Sequence, residues 1–494
     1  MSSTESVIEL GDSFARELPE LGVEWIPATV PVPAIVAFNE SLAIELGLDL
    51  DSLTSTEGVA MLAGNVVPVG SAPIAMGYAG HQFGSFSGRL GDGRAVLLGE
   101  LTDRTGRRRD LHLKGSGRTP FARGGDGKAA LGPMLREFLM AEALHALGVR
   151  TGRALSVVTT GEHIQRDGPV PGAVLARVAD SHIRVGTFEY AAALGDQGAL
   201  LRLVDHSIER HHPTAADAGA GRYLALLDAV TEAQAALVAD WMLVGFIHGV
   251  LNTDNVTISG ETIDYGPCAF MDRFDPATVY SSIDHGGRYA YGNQPGVTQW
   301  NLARLAETLL PLIDADPDTA VRLATEVLTT FPDSYRRHWL TGMRRKLGLA
   351  GDAPTDEGLA DDLLGLLAAH RVDYTAAFRA LADSLRGDRR PLEGLVDPPS
   401  KLDAWLSRWH SRIDGAGQER VSVADGMDSV NPVYIPRNHL VEEALTAATA
   451  GDIGPFQILL DVITNPFEAC EDRQRFAAAA PDSFTDTYQT FCGT

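Results

Sequence analysis

The stretch from residue 248 to residue 266, HGVLNTDNVTISGETIDYG, constrains this chain more than any other. A long apolar run, which we interpret as a buried helix, ends at His248-Gly249, and Asp254-Asn255 then precedes two short β-like runs that predict a hairpin. Asp264 follows nine positions after Asn255. Taken singly, these residues also fit an Asx-turn and a plain β-turn. Taken together, they provide two oxygen ligands for Mg²⁺ on a polyphosphate and a neighbouring carboxylate base. We therefore predict that Asn255 and Asp264 bind metal and that Asp254 is the base.

A glycine-rich segment lies upstream of this stretch. Its glycines would let backbone N–H groups approach a phosphate closely, and Arg94 would add a positive charge. By itself such a segment is more often an ordinary turn between strands. The glycines concerned are Gly84, Gly88, Gly91 and Gly93.

Lys114 ends a strand-like run, DLHLK, twenty positions after Arg94. Glu137 lies on the next predicted helix, within GPMLREFLMAEALHALG, where it can pair with Lys114 or remain a surface residue beside Arg136. A glycine loop, a strand lysine and a helix glutamate follow one another in this order in protein kinases, which use them to hold nucleotide phosphates.

Two further features are candidates for phosphate binding. Asp126-Gly127 forms a flexible turn rich in N–H donors, which without context is an ordinary loop. Arg177 and Arg184 lie seven positions apart among apolar neighbours. A buried arginine needs an anionic partner, and that partner can be a carboxylate or a phosphate.

The chain changes character along its length, and the pattern predicts an α+β, two-lobed protein-kinase-like fold. For residues 1–65 the pattern predicts an N-terminal wrap, with short helices and a proline-punctuated stretch, PATVPVPAIVAFN. Residues 66–189 predict a β-rich small lobe with one helix, beginning with GNVVPVG as a β-like run. Residues 190–390 predict a helical large lobe, and residues 391–494 a C-terminal helical region and tail.

Charge and composition narrow the class of protein. The formal charge of −24 argues against a general nucleic-acid or anionic-membrane binder. A run of basic residues from Arg104 to Lys128 suits a small anion better than a polymer. The sequence shows neither a secretory signal nor an uninterrupted apolar span, and three cysteines are too few for a disulfide-stapled scaffold. We therefore expect a cytoplasmic protein.

Several motifs together closely resemble the selenoprotein O (SelO, YdiU) family, from about residue 8 to the C-terminus. They include a catalytic loop without the kinase His-Arg-Asp. The motifs are YAGHQFG, LGDGRA, DLHLKGSG, GDGKAAL, LREFLMAEAL, SHIRVGTFE, GFIHGVLNTDN, TIDYGPCAFMD, GRYAYGNQP and WNLARL.

The resemblance implies a pseudokinase fold that transfers AMP from ATP to Ser, Thr or Tyr hydroxyls of other proteins, with Mg²⁺ or Mn²⁺. ATP would bind flipped relative to kinases, so that its distal phosphates are buried against cations. Asp254 would accept the proton, and Asn255 and Asp264 would hold the metal. The residues that the resemblance places at the nucleotide are Gly91, Gly93, Arg94, Lys114, Asp126, Gly127, Arg177, Arg184 and Asp264.

The cysteines leave one question open. Selenoprotein members carry selenocysteine at the antepenultimate position, where this chain has Cys492. The resemblance implies a regulatory disulfide between Cys492 and Cys268, although a frayed tail with a free thiol fits equally. Two rival functions also stay open, a phosphoryl-transferring kinase and a non-catalytic, redox-responsive nucleotide-binding protein. UMP transfer from UTP would be a variation on the AMP transfer that the resemblance implies.

Overall fold

The computed structural model describes residues 7–491, which form a mixed α/β fold with one large antiparallel sheet and many helices. The strands are β1 Gly22–Glu24, β2 Ala34–Phe38, β3 Ile74–Met76, β4 Gly80–Gln82, β5 Ser85–Ser87, β6 Ala95–Thr102, β7 Arg108–Lys114, β8 Ala129–Ala130, β9 Arg153–Gln165, β10 Pro169–Ala179, β11 Phe246–Ile247 and β12 Ala269–Phe270. The first ten helices are α1 Ser13–Glu17, α2 Glu40–Glu45, α3 Leu50–Thr54, α4 Thr56–Leu62, α5 Leu131–Ala146, α6 Val185–Ala193, α7 Gln197–His211, α8 Arg222–Val244, α9 Gln294–Ile313 and α10 Pro317–Leu328. The others are α11 Phe331–Lys346, α12 Asp356–Ala369, α13 Tyr374–Leu385, α14 Arg390–Glu393, α15 Asp403–Asp414, α16 Arg420–Asp428, α17 Asn438–Thr449, α18 Gly454–Ile463, α19 Gln474–Ala477 and α20 Asp482–Thr485.

The large sheet has the strand order β1-β3-β6-β7-β10-β9-β2, and β8 also pairs with β10. Strand β7 shows why the sheet separates an apolar layer from a polar one. Side chains alternate between the two faces of a strand. Leu111 and Leu113 pack into a core with α2, α3 and α4, whereas His112 and Lys114 point to the opposite face. This alternation carries Lys114 towards the candidate site.

The N-terminal segment contributes more than the predicted wrap. Its short helices are present, but β1 pairs with β3 and β2 pairs with β9, so the segment supplies both edges of the sheet. Strand β2 lies inside the proline-punctuated stretch, where the prediction contained no strand. The prolines of this stretch, Pro27, Pro31 and Pro33, all precede the strand, so every residue of β2 keeps its backbone N–H donor.

The predicted β-like run at residues 64–70 is wrong. No strand forms there, and Val69 is 72% exposed. Pro68 lacks a backbone donor, and Gly70 has a φ of 82°. Both residues favour a turn over a strand.

The central helices follow the predicted patterns closely. Helix α5 ends at Ala146, two residues before Gly148. Helix α8 ends at Val244, and Gly245, with a φ of 74° in the left-handed region, is its C-cap. Gly245 turns the chain into β11 and from there to the stretch that begins at His248. None of the helices in residues 7–491 is both long and apolar enough to cross a membrane.

The predicted basic run does not form one patch. Arg108 and Arg109 lie at the start of β7 in ion pairs, and Arg109 contacts Asp103 and Asp180 at 3.1 and 2.5 Å. Lys114, at the far end of the same strand, faces a cavity instead. An extended strand separates its ends by about 3.3 Å per residue, so the two groups act at different places.

Candidate active site

A cavity of about 360 Å³ lies between the end of β7 and the polar stretch that follows β11. Most of the residues singled out from the sequence line it. These are Gly91, Gly93, Arg94, Lys114, Asp126, Gly127, Arg177, Asp254, Asn255 and Asp264. Arg184 and Glu137 lie behind this lining and bond to it.

Three cations converge on Asp264. Lys114 Nζ and Arg177 Nη1 lie 3.1 and 2.5 Å from Oδ1. Arg184 Nη1 lies 2.8 Å from Oδ2. Burial disfavours the charged carboxylate, but Arg177, Lys114 and Arg184 outweigh it and hold the pKa of Asp264 well below its ordinary value. Asp264 is therefore ionised throughout the physiological range.

Glu137 completes this group from helix α5. It accepts from Lys114 Nζ at 2.6 Å and from Arg177 Nη1 at 3.2 Å. Both Glu137 and its neighbour Arg136 are buried, so neither is a surface residue. We call Lys114, Glu137, Arg177, Arg184 and Asp264 the cavity cluster. It holds three cations and two carboxylates, an excess of one positive charge.

Asp254 lies beside the cavity cluster in a short 3₁₀ turn, Thr253–Asn255. Arg184 Nη1 donates to its backbone oxygen at 2.9 Å. Within residues 7–491, its buried Oδ1 and the Nη2 of Arg184 have no hydrogen-bond partner. Burial raises the pKa of Asp254 to about 6, against the opposing charge of Arg184. Unpartnered buried polar atoms of this kind suit a ligand that brings both an acceptor and a donor.

Asn255 and Asp264 provide hard oxygen atoms at the same cavity. The amide nitrogen of Asn255 donates to the backbone oxygen of Val250 at 2.8 Å, which fixes the side chain. The described part of the chain contains no group of three His, Cys, Asp or Glu residues placed to hold a metal ion. Asn255 and Asp264 could supply two oxygen ligands, and a Mg²⁺-type ion there would take its remaining ligands from phosphate and water.

Two glycines are required by close packing at the cavity wall. Gly91 has a φ of 79°, and a Cβ there would lie 2.4 Å from the Phe121 ring. Gly127 has a φ of 71°, and a Cβ there would lie 2.2 Å from the backbone nitrogen of Arg118. The neighbouring Asp126 is exposed and pairs with Arg166 at 2.9 Å, so its carboxylate already has a cationic partner.

Sequence reasoning missed His112 and Asp92. Arg177 Nε donates to His112 Nδ1 at 3.3 Å, and His112 Nε2 lies 2.9 Å from Asp92 Oδ2. Burial lowers the pKa of His112, so the ring is neutral and can accept from Arg177. His112 is two residues before Lys114 on β7, and the alternation of DLHLK was the signal that could have found it.

The predicted Cys268–Cys492 pair includes Cys492, which lies outside the described residues. Cys268 is buried, and that burial raises the pKa of its thiol to about 11. The chain near its C-terminus passes close by, because Thr490 Oγ1 donates to the backbone oxygen of Pro267 at 2.7 Å. The disulfide stays a prediction.

Comparison with known proteins gives a consistent family. A family model described as "Protein adenylyltransferase SelO" matches residues 7–464. A "Protein nucleotidyltransferase YdiU" of Rhodococcus jostii (strain RHA1) is 55% identical over 498 residues, covering 100% of this chain and 96% of the relative. The protein of the same name from Mycobacterium sp. (strain KMS) is 57% identical and covers 99% of each. The protein of the same name from Mycolicibacterium smegmatis (strain ATCC 700084 / mc(2)155) is 57% identical, and the match covers 100% of this chain and 99% of the relative. The chain therefore belongs to the SelO family of protein adenylyltransferases, a family of nucleotidyltransferase enzymes.

Proposed function

We propose that this chain transfers AMP from ATP to Ser, Thr or Tyr hydroxyls of other proteins. One observation carries the proposal: Lys114 and Arg177 line a cavity, Arg184 lies directly behind them on Asp264, and the base candidate Asp254 beside them has a buried oxygen without a partner within residues 7–491. An excess of positive charge at a cavity wall favours a polyphosphate. A carboxylate with a raised pKa favours proton transfer close to neutral pH.

Nucleotide binding would redistribute the charges of the cavity cluster. Lys114, Arg177 and Arg184 now bind Asp264, and a triphosphate would give them a second anionic partner. Asp264 would then be available to hold a divalent metal together with Asn255. The cavity wall would contact the phosphates through the remaining members of the predicted set, namely Gly91, Gly93, Arg94, Asp126 and Gly127.

In the proposed reaction, the acceptor hydroxyl oxygen attacks the α-phosphorus of ATP. The bond between the α-phosphorus and the bridging oxygen breaks, pyrophosphate leaves, and the hydroxyl proton passes to Asp254. Mg²⁺ or Mn²⁺, when bound, supplies charge neutralisation of the leaving pyrophosphate. Lys114, Arg177 and Arg184 add to the same neutralisation from the protein side.

The proposal extends to the architecture. The sheet with α5 would form the small lobe of a kinase-like fold over residues 66–189, and residues 190–390 the large lobe. Residues 1–65 would be an extension, and residues 391–494 a helical region that packs α17 and α18 against α5. We also propose a cytoplasmic location with no nucleic-acid partner, on the basis of the three cysteines and the net charge of −24.

Labelled ATP tests the proposal directly. The protein is incubated with dephosphorylated casein and either α-³²P or γ-³²P ATP. We expect casein to be labelled from the α position only, and α-³²P UTP tests whether UMP is transferred too. Label from the γ position only would identify a kinase, the second candidate, because the metal and base positions would be shared. Label from neither would reject both.

Matched variants tie the activity to this cavity. Asp264→Ala should abolish transfer, because the metal site would be lost. Asp228→Asn, an exposed acid on α8, is the control and should retain full activity. Full activity of Asp264→Ala would overturn the metal assignment.

A further inference from the structure

The hairpin of β4 and β5 lies directly against the segment that carries Asp254. A Cβ on Gly80 would lie 2.4 Å from Asp254 Oδ1. The backbone nitrogen of His81 donates to Thr253 Oγ1 at 2.7 Å, and that of Phe83 to Asn252 Oδ1 at 3.1 Å. These bonds fix the hairpin beside the proposed base.

The tip of this hairpin presents aromatic rings outward. Phe83 and Gly84 form a two-residue turn with φ values of 51° and 83°. Glycine and asparagine suit such a turn, whereas a bulky ring in the left-handed region is strained. Phe83 is nonetheless 36% exposed, and Phe86 on β5 is 53% exposed. Exposed rings on a strained turn beside a reaction site are typical of a binding surface.

Trp300 and Arg288 extend this surface beyond the hairpin. The His81 ring lies between Phe86 and Trp300, with ring centroids 5.0 and 5.2 Å away. The Arg288 guanidinium stacks over Trp300 at 4.8 Å. We call Phe83, Phe86, Trp300 and Arg288 the hairpin face.

Arg288 has no ion-pair partner within the described range 7–491, where no carboxylate lies within 4.0 Å of it. Two acids of the same region are already engaged. Asp284 accepts from the backbone nitrogens of residues 288 and 289 at 2.9 and 2.8 Å. Glu189 accepts from Thr253 Oγ1 at 2.6 Å and lies 2.5 Å from His81 Nδ1. In a chain of net charge −24, an arginine without a carboxylate on an apolar surface favours an external anion.

We propose that the hairpin face binds the acceptor protein, through a segment that carries an apolar side chain and an acidic residue close to the modified hydroxyl. This proposal rests on the proposed AMP transfer. Phe83 and Phe86 contact the apolar side chain, and Arg288 pairs with the acid. A Cβ on Gly84, at the tip of the hairpin, would lie 3.6 Å from Cζ of Arg288, whereas Gly80 lies against Asp254. These two glycines are four residues apart, which is about 13 Å along an extended chain at about 3.3 Å per residue. The acid therefore lies within about four residues of the hydroxyl.

The first test measures initial rates of AMP transfer from α-³²P ATP to dephosphorylated casein at varied casein and ATP. Phe86→Ala should raise the KM for casein about fivefold or more, the size typical of an exposed aromatic anchor, and leave the KM for ATP at the wild-type value. The matched control is Ile458→Ala, because Ile458 on α18 is 56% exposed and packs elsewhere. Its KM for casein should equal that of the wild type.

The outcomes separate the two proposals. If the wild type transfers no AMP to casein, the proposed function fails and the docking proposal with it. If the wild type is active and Phe86→Ala keeps the wild-type KM for casein, only the docking proposal fails. A change in oligomeric state of Phe86→Ala on sedimentation would assign the face to contact between copies of this chain, which also overturns it.

The second test exchanges charge. Two peptides contain a single Tyr with Leu nearby and differ only in a Glu or a Lys two residues from the Tyr. The wild type should label the Glu peptide several-fold faster, and Arg288→Glu should reverse the preference. An unchanged preference in Arg288→Glu would overturn the role of Arg288. Labelling of casein but of neither peptide would overturn the claim that a short segment is recognised.

Discussion

Arg437 and Arg177 are both buried arginines held by two carboxylates, yet their surroundings differ. Arg437 Nη1 contacts Asp272 Oδ1 at 2.5 Å and Asp373 Oδ2 at 2.7 Å. We call these three residues the closed cluster. The closed cluster joins the start of α17 to the chain after β12 and to the start of α13. The second terminal nitrogen of Arg437, Nη2, donates to the backbone oxygen of Ala477 at 2.9 Å. Arg177, in the cavity cluster, lines an open cavity instead.

The charge balance of the two clusters is opposite. The closed cluster has two carboxylates for one cation, so an added anion would meet repulsion. The cavity cluster has three cations for two carboxylates, and the cavity wall as a whole has more cations than carboxylates, so the cavity favours an added anion. The lining cations are Arg94, Lys114, Arg123, Lys128, Arg166 and Arg177, and the lining carboxylates are Asp92, Asp126, Asp254 and Asp264. Buried ion pairs of similar geometry can therefore serve as a structural link in one place and as a binding site in another, and cavity access and net charge decide which.

Removing Arg437 should produce the largest effect on stability. Arg437→Met leaves Asp272 and Asp373 buried without their cation, and we expect the free energy of unfolding to fall by about 3–5 kcal/mol. Urea denaturation measures this change. The variant should retain the wild-type Kd for ATP under conditions where it is folded. A stability equal to the wild type would show that the closed cluster is not a structural link.

Removing Arg177 should have the opposite signature. Arg177→Met should weaken ATP binding by about 1.5–3 kcal/mol, the value typical of a hydrogen bond to a charged group. Its stability should change less than that of Arg437→Met, because Lys114 and Arg184 still neutralise Asp264. Calorimetric titration with ATP and urea denaturation are compared on both variants. Equal stability losses would erase the distinction between the clusters.

The pH dependence of the rate of AMP transfer should depend on the cavity and not on the closed cluster. Asp254 must be ionised to accept a proton, and its pKa is raised to about 6. The rate of AMP transfer should therefore rise about tenfold per pH unit below that value and level off above it. The Kd for ATP, measured over the same range, is the control that separates catalysis from binding. A rate independent of pH from 5 to 8 would exclude Asp254 as the base.

The smallest expected effect concerns His112, a positioning residue for Arg177. His112→Leu removes the acceptor for Arg177 Nε and should weaken ATP binding by about 1 kcal/mol. His112→Asn places an amide oxygen close to the lost Nδ1 and should restore part of this loss. A purely structural role would lower the stability of both variants without this difference in Kd for ATP.

Some features could be predicted from local sequence because local interactions determine them. The apolar runs of α5 and α8 and the strand-like run DLHLK of β7 predicted those elements, since each pattern matches a repeat of the backbone. The edge strands β1 and β2 could not be predicted in this way. Their formation depends on partners β3 and β9, which lie far away in sequence.

The sequence by itself determined which residues could serve at the site, and family membership follows from the sequence as well. The glycine loop, Lys114, Glu137, Asp254-Asn255 and Asp264 are all visible as types and spacings. Only the tertiary structure decided how they are arranged: Asp264 is held by three cations, His112 supports Arg177, and the basic run divides into ion pairs and a cavity wall. Charge balance and burial depend on contacts between distant segments, and those exist only once the chain is folded.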